Sequence, residues 1–125
     1  MILGTGVDIA EVPRIRETIE RFGDRFLRRI FTEGEIRYCE RKARRFESYA
    51  ARFAAKEAVM KAMGTGWNRY VGWREIEVVR ERGHAPTIVL SGKAAEYARR
   101  KRIAAFHLSI THTEASAMAH VIAEG

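Results

Sequence analysis

The most continuous hydrophobic pattern lies mid-chain. Phe46, Tyr49, Ala50, Phe53 and Met60 recur at the three- and four-residue spacing that lines one face of a helix. The run 53–62 is rich in strong helix formers and free of Pro and Gly, and Gly64 is placed to stop it. Glu57 falls inside the apolar stripe rather than opposite it. A carboxylate there must be neutralised, paired or bound to a cation, because burying it bare is costly. Two readings are open at this point. Lys61 follows four residues on, the favourable order for a Glu–Lys pair, or Glu57 belongs to a functional site.

Elsewhere the pattern changes period. Phe106, Leu108 and Ile110 alternate with His107, Ser109 and Thr111, which predicts a half-buried strand. A connection at 112–114 leads to a returning strand over 115–123, where Ala115, Ala117 and Ala119 allow close packing. Residues 2–9 predict an opening strand with Gly4 and Gly6 inside it, where glycine marks the close approach of another backbone or a ligand. Asp8 sits near the end of that strand. Glu11-Val12-Pro13 starts a helix that runs to about Phe22, with Ile15, Ile19 and Phe22 inward and a break at Gly23-Asp24. Thr32-Glu33-Gly34-Glu35 has the form of a capping box, and the helix it opens has Ile36 and Cys39 on its apolar side. After a connection over 67–72, strands are expected at 73–80 and 87–90 around a turn at 82–84, then a helix over 92–102 with a basic end.

Composition narrows the class. A chain of 125 residues, 46% hydrophobic and 31% charged, predicts one ordered domain over 1–125. The single cysteine, Cys39, rules out an internal disulfide framework and suits a reducing compartment. There is no basic-then-apolar leader and no apolar run near the length that crosses a bilayer, so a soluble cytoplasmic protein is expected, without a membrane partner. A formal charge of +7 calls for an anionic partner: nucleic acid, a phosphorylated small molecule or an acidic protein. Arg14, Arg21, Arg25 and Arg28 line one outer face if helical phase survives Gly23, and Arg45, Arg52 and Lys56 form a row on the flank of the central helix. Gly64-Thr65-Gly66 is no phosphate-binding P-loop, because the required strand–GxxxxGK[ST]–helix arrangement is missing.

Two carboxylates invite pairing, Asp8 at a strand end and Glu57 in the apolar stripe. Few carboxylates with water and substrate phosphates is how Mg²⁺ is usually held. An ion there would answer the burial problem of Glu57 and would neutralise a departing diphosphate. Basic residues would grip the remaining phosphates. Of the histidines, His112 lies beside a turn and hydroxyl neighbours and is the better placed for a phosphate.

Gly6-Val7-Asp8-Ile9, Phe53-Ala54-Ala55-Lys56-Glu57-Ala58 and Lys61-Ala62-Met63-Gly64-Thr65-Gly66 together resemble the short, single-domain 4′-phosphopantetheinyl transferases that act as carrier-protein synthases. The resemblance spans nearly the whole chain, including Phe31-Thr32-Glu33-Gly34-Glu35 and 107–113. It implies transfer of the phosphopantetheine arm of coenzyme A to a serine of apo-acyl carrier protein, in fatty acid biosynthesis. The implied fold is α+β, an antiparallel sheet packed with helices and crossed by the long central helix. By the same resemblance Asp8 and Glu57 hold Mg²⁺, and Glu57 or a metal-bound water deprotonates the serine. Lys61 stabilises charge on the diphosphate, and His112 contacts coenzyme A. Arg44, Arg45 and Arg52 take its 3′-phosphate and pyrophosphate. Arg14, Arg21 and Arg25 dock the acidic carrier, and the chain forms a homotrimer with active sites between subunits. The rival reading is a basic nucleic-acid-binding module without enzymatic activity, which rests on the net charge and on the clusters at 41–45 and 99–102. It gives no reason for Asp8 and Glu57 and has no interleaved aromatic platform.

Overall fold

Two glycines near the N-terminus set how the molecule is assembled. In the computed structural model, which describes residues 1–66 and 71–125, the opening strand β1 (Ile2–Glu11) lies against the long helix α4 (Arg45–Met63). A Cβ on Gly4 would fall 2.0 Å from the carbonyl oxygen of Ala62, and one on Gly6 2.0 Å from that of Ala58. Only bare backbone fits there, as the glycines in the strand predict. The helix contributes small residues of its own: Ala50, Ala51, Ala54, Ala55, Ala58 and Ala62 are all buried.

β1 forms one edge of a three-stranded antiparallel sheet in the order β1-β5-β4, with β4 at Ala105–His112 and β5 at Ser116–Glu124. Ala117, Ala119, Val121 and Ala123 of β5 are fully buried, and Phe106, Leu108 and Ile110 of β4 pack against the same core. The alternation read from the sequence is therefore the alternation of the sheet. Its other face carries Val7 and Ile9, 51% and 62% exposed, beside Met118, which pairs with Ile9.

Helices α1 (Val12–Phe22), α2 (Asp24–Ile30) and α3 (Glu33–Glu40) follow β1. Gly23 has φ +57° and ψ −137°, so the helical phase does not pass through it, and α2 is a fresh helix. Phe22, expected inside, is 48% exposed, whereas Ile15 and Ile19 are buried. The capping box of α3 forms as expected, with Glu35 N donating to Thr32 Oγ1 at 3.2 Å and Thr32 N to Glu35 Oε1 at 2.9 Å. Past α4, Gly64 at φ +78° ends the helix in the left-handed conformation. Of the expected connection over 67–72, residues 67–70 lie outside those described.

Three boundaries differ from the expected ones. The strand expected at 73–80 is a 3₁₀ turn, Trp73–Glu75, followed by β2 (Ile76–Val79), which pairs with β3 (Thr87–Leu90). The cause is Glu75, whose carboxylate accepts from Gly72 N and Lys93 N, both at 2.9 Å, and so curls the chain before the strand. α5 (Gly92–Arg100) stops two residues early, and Arg102 takes φ +61°. His112 closes β4, and the exposed Ala115 lies in the connection rather than in β5.

The central helix also corrects the single apolar stripe. Ala54, Ala58, Val59, Met60 and Ala62 lie around its circumference and are all buried, while Phe53 and Glu57 are half-buried. With the sheet on one side and α1, α3 and β2 on others, nearly every face of α4 is covered.

Candidate active site

The two-residue period that turns Gly4 and Gly6 toward α4 also turns Asp8 toward it. Asp8 Oδ1 lies 2.9 Å from Lys61 Nζ, which donates as well to the Val7 carbonyl at 3.0 Å. The Asp8 side chain is 13% exposed and that of Lys61 53%. Lys61 thus bonds across the strand–helix contact to Asp8, and the pair with Glu57 read from the four-residue spacing is replaced by this one. Its ammonium pKa is raised, first by the hydrogen bond with Asp8.

Glu57 completes the group. Its carboxyl is pushed above the usual range, chiefly by burial and then by the charge of Asp8, against the opposing charge of Lys61; a hydrogen bond with Asp8 adds to the rise. Two carboxyl groups therefore crowd together over one ammonium, and a divalent cation between them would relieve both the crowding and the burial. Among the described residues no group of three or more His, Cys, Asp or Glu side chains could hold a metal. The donor set fits an ion that takes two carboxylates and draws its other ligands from water and substrate.

Lys56, the neighbour of Glu57, does different work. The sequence puts it in a row on the helix flank with Arg45 and Arg52, but it is fully buried. Its ammonium pairs with Glu35 at 2.7 Å and donates to the carbonyls of Trp73, at 3.0 Å, and Ile76. Glu35 also accepts from Val78 N at 2.7 Å. Burial pushes the Lys56 pKa down, against the opposing pull of Glu35. This network, with every partner satisfied, ties α3, α4 and β2 together one residue from Glu57. The capping box pointed to Glu35, but sequence alone gave it no second partner.

The basic residues divide between clefts. Arg44 and Arg45 line one of about 520 Å³ with Arg16, Phe46, Glu47 and Glu114. Arg45 binds Glu40 at 3.1 Å and lies over the Phe46 ring, 4.3 Å from its centre. Arg52 and His112 line a second, of about 400 Å³, with Arg80, Ser48, Ser109 and Pro86. Arg52 is only 5% exposed, stacks 4.0 Å from the Tyr38 ring centre and leaves its Nε without a hydrogen-bond partner among the described residues. A buried guanidinium with an unused donor beside a cleft is a ready anion contact. Arg80 was not singled out in the sequence, where nothing distinguishes it from other strand-end arginines.

Glu57 lines a third cleft with Ile9, Arg14, Ile15, Thr18, Phe26 and Phe53. Thr18 and Phe26 continue into a shallow groove with Phe22, Arg25 and Arg29. Arg14 and Arg25 thus flank one run of surface that begins at Glu57, although the break at Gly23 removes the single helical row. Arg21 lies between them in sequence, over the Phe22 ring at 5.3 Å from its centre. Arg28 is engaged by Glu33. With Arg52 and Lys56 withdrawn from the surface, part of the basic excess invoked for nucleic acid is interior.

Within one chain, Glu57 and Arg52 point apart. Five residues on a helix separate side chains by about 140° around the axis, and the twelve from Arg45 to Glu57 separate them by about 18 Å along it. The carboxylate–lysine group and the arginine–histidine clefts therefore lie on different sides of α4 within one chain.

Fold and geometry together define a class: a small α+β protein with two carboxylates and a lysine at a strand–helix contact, and clefts lined by arginines. A family model described as the 4′-phosphopantetheinyl transferase superfamily matches residues 4–118. The holo-[acyl-carrier-protein] synthase of Solibacter usitatus (strain Ellin6076) is 60% identical over 124 residues, 99% of this chain and 99% of that protein. The crystal structure of holo-[acyl-carrier-protein] synthase from Neisseria meningitidis superposes with a TM-score of 0.93 at 32% identity, covering 100% of both chains. The Helicobacter pylori synthase, solved in complex with coenzyme A, gives a TM-score of 0.85 at 32% identity over 96% of this chain and 99% of that one. The chain belongs to the 4′-phosphopantetheinyl transferase superfamily.

Proposed function

We propose that this protein is a holo-[acyl-carrier-protein] synthase. It transfers the 4′-phosphopantetheine arm of coenzyme A to a serine of apo-acyl carrier protein and releases adenosine 3′,5′-bisphosphate. The observation that carries the reading is the meeting of Asp8 on β1 with Glu57 and Lys61 on α4, the last of them 53 residues away in sequence. Asp8 and Glu57 would hold Mg²⁺, which supplies neutralisation of the diphosphate and a template for it. The chain's own residues do the rest. Lys61, half-exposed at the rim, donates to the diphosphate oxygens. Glu57, with its raised pKa, is the basic group nearest that centre to receive the serine proton, directly or through a water. Arg52 in one cleft and Arg44 and Arg45 in the next take the 3′-phosphate and the pyrophosphate, and His112 contacts coenzyme A beside Arg52.

Arg14, Arg21 and Arg25 steer and dock the acidic carrier beside Glu57, with the exposed Phe22 and the half-buried Phe26 as apolar contacts. The division into half-sites supports a homotrimer in which the carboxylates of one copy face the arginines and His112 of the next. The uncovered apolar face of Val7, Ile9 and Met118 supports such an assembly. The setting is cytoplasmic fatty acid synthesis, where coenzyme A and the apo-carrier are present together. No helix among the described residues is long and apolar enough to cross a membrane.

Purified protein, coenzyme A, Mg²⁺ and apo-carrier should yield carrier heavier by one phosphopantetheine arm in an intact-mass measurement. Asp8→Asn and Glu57→Gln should each slow this conversion on the order of a hundredfold or more, because each removes a carboxylate that would hold the ion neutralising the diphosphate. An unmodified carrier across several apo-carriers would reject the activity. Full activity in both variants would reject the carboxylate assignment.

A further inference from the structure

Glu47 lines the cleft of Arg44 and Arg45 without a role so far, and it touches two of the candidate coenzyme A contacts. It lies in the first turn of α4, where a helix N-terminus favours negative charge, and its side chain is 9% exposed. Its Oε1 is 2.9 Å from Nδ1 of His112, at the end of β4, and its Oε2 is 3.7 Å from Nη1 of Arg44. The two residues come from different elements and border different clefts, so this one carboxylate joins the clefts.

The contact with His112 has a chemical consequence. A carboxylate oxygen accepts, so Nδ1 must carry the hydrogen and donate it. The commoner neutral imidazole carries its hydrogen on Nε2 instead. Here Nε2 is left free on a ring that is 49% exposed and borders the cleft of Arg52 and Arg80. The ring cannot turn over without losing Glu47.

We propose that Glu47 is a positioning residue for the coenzyme A site. It fixes the tautomer and the direction of the His112 ring so that the Nε2 lone pair accepts from an N–H or O–H of coenzyme A, such as the adenine amino group, and it holds Arg44 at the mouth of the neighbouring cleft. The inference rests on the proposed reading of His112 and Arg44 as coenzyme A contacts. A purely structural Glu47, one that only ties α4 to β4, would leave the ring's tautomer without bearing on the ligand.

Long-range ¹H–¹⁵N correlation on protein labelled in its histidines reads the tautomer directly, with the His112 signals assigned from His112→Gln. The wild type should show Nδ1–H. Glu47→Ala should move His112 to Nε2–H and raise KM for coenzyme A on the order of tenfold, with kcat changed much less. Glu47→Gln, whose amide oxygen still accepts from Nδ1, should keep the tautomer and most of the affinity. A wild-type His112 with its hydrogen on Nε2 overturns the proposal without any variant, so a Glu47→Ala chain that fails to fold does not shelter it. An unchanged tautomer or an unchanged KM in folded Glu47→Ala overturns it too. Wild-type coenzyme A affinity in His112→Gln would instead overturn the ligand reading beneath it.

Discussion

Lys56 and Lys61 look interchangeable in the sequence, two ammonium groups either side of Glu57 on one helix. Burial separates them. Lys56 is sealed with Glu35 in the interior, while Lys61 is half-exposed and bonds Asp8. Lys56→Met removes one partner of a buried ion pair and leaves Glu35 without its countercharge. It should cost about 3 kcal/mol or more, read as a lower midpoint in urea unfolding. Cys39 was legible as a lone reduced cysteine, but its surroundings were not. Burial, its largest influence, raises the thiol from 9.0 to about 12, and the residue is fully enclosed. The unfolded chain releases this proton above pH 9 while the native chain keeps it, so the unfolded state binds fewer protons and stability falls as pH rises from 9 toward 12. The linked loss is on the order of 4 kcal/mol over that window. Alkaline unfolding curves of Cys39→Ala should therefore have a shallower pH dependence than those of the wild type. An equal slope would mean that the thiol is not the titrating group.

The elements that sequence made legible are those whose pattern is local. Alternation in β4 and β5, the capping box of α3 and the glycine stop of α4 all depend on neighbours a few residues away. The misread elements depend on distant partners. Residues 73–75 read as part of the strand marked by Ile76, Val78 and Val79, but Glu75 reaches forward to Lys93 and backward to Gly72. The full burial of α4 needs the sheet and the short helices in place together, and no helical period can announce that. Gly4 and Gly6 bridge the two kinds of information, since their presence in a strand signalled a close approach without saying to what. Gly6→Ala puts a methyl 2.0 Å from the Ala58 carbonyl oxygen, a backbone atom that cannot swing aside. The variant should lose at least about 3 kcal/mol, at the upper end for overpacking, because β1 must shift off α4. The same shift would carry Asp8 away from Lys61, so any protein that still folds should lose transfer activity out of proportion to its stability. Wild-type stability in this variant would show that the contact between strand and helix is looser than described.

The candidate site as a whole was legible as a list of residues but not as an arrangement, because sequence does not tell which residues share one side of α4. Asp8, Glu57 and Lys61 gather at one contact, whereas Arg44, Arg45, Arg52 and His112 border clefts on other sides of α4. On the proposed reading, a single ligand that needs both groups is held between chains. The uncovered face of Val7, Ile9 and Met118 supplies an apolar surface on the strand that carries Asp8. This makes a strong demand on mixed assemblies. Glu57→Gln damages the carboxylate half-site and spares the other, and Arg52→Ala combined with His112→Gln does the reverse. Each protein alone should be nearly inactive. Unfolded, mixed and refolded together, they form cyclic assemblies in which one interface joins two intact halves, so activity should return to no more than about a third of the wild-type value in a trimer. Mixing without subunit exchange should restore nothing. If the refolded mixture also stays inactive while co-purification through a tag on one variant shows mixed assemblies, both halves act within one chain and the interfacial site is wrong. That outcome does not fit the angular separation of Glu57 and Arg52 on the helix, which is why this experiment weighs more on the proposed assembly than a measurement of size would.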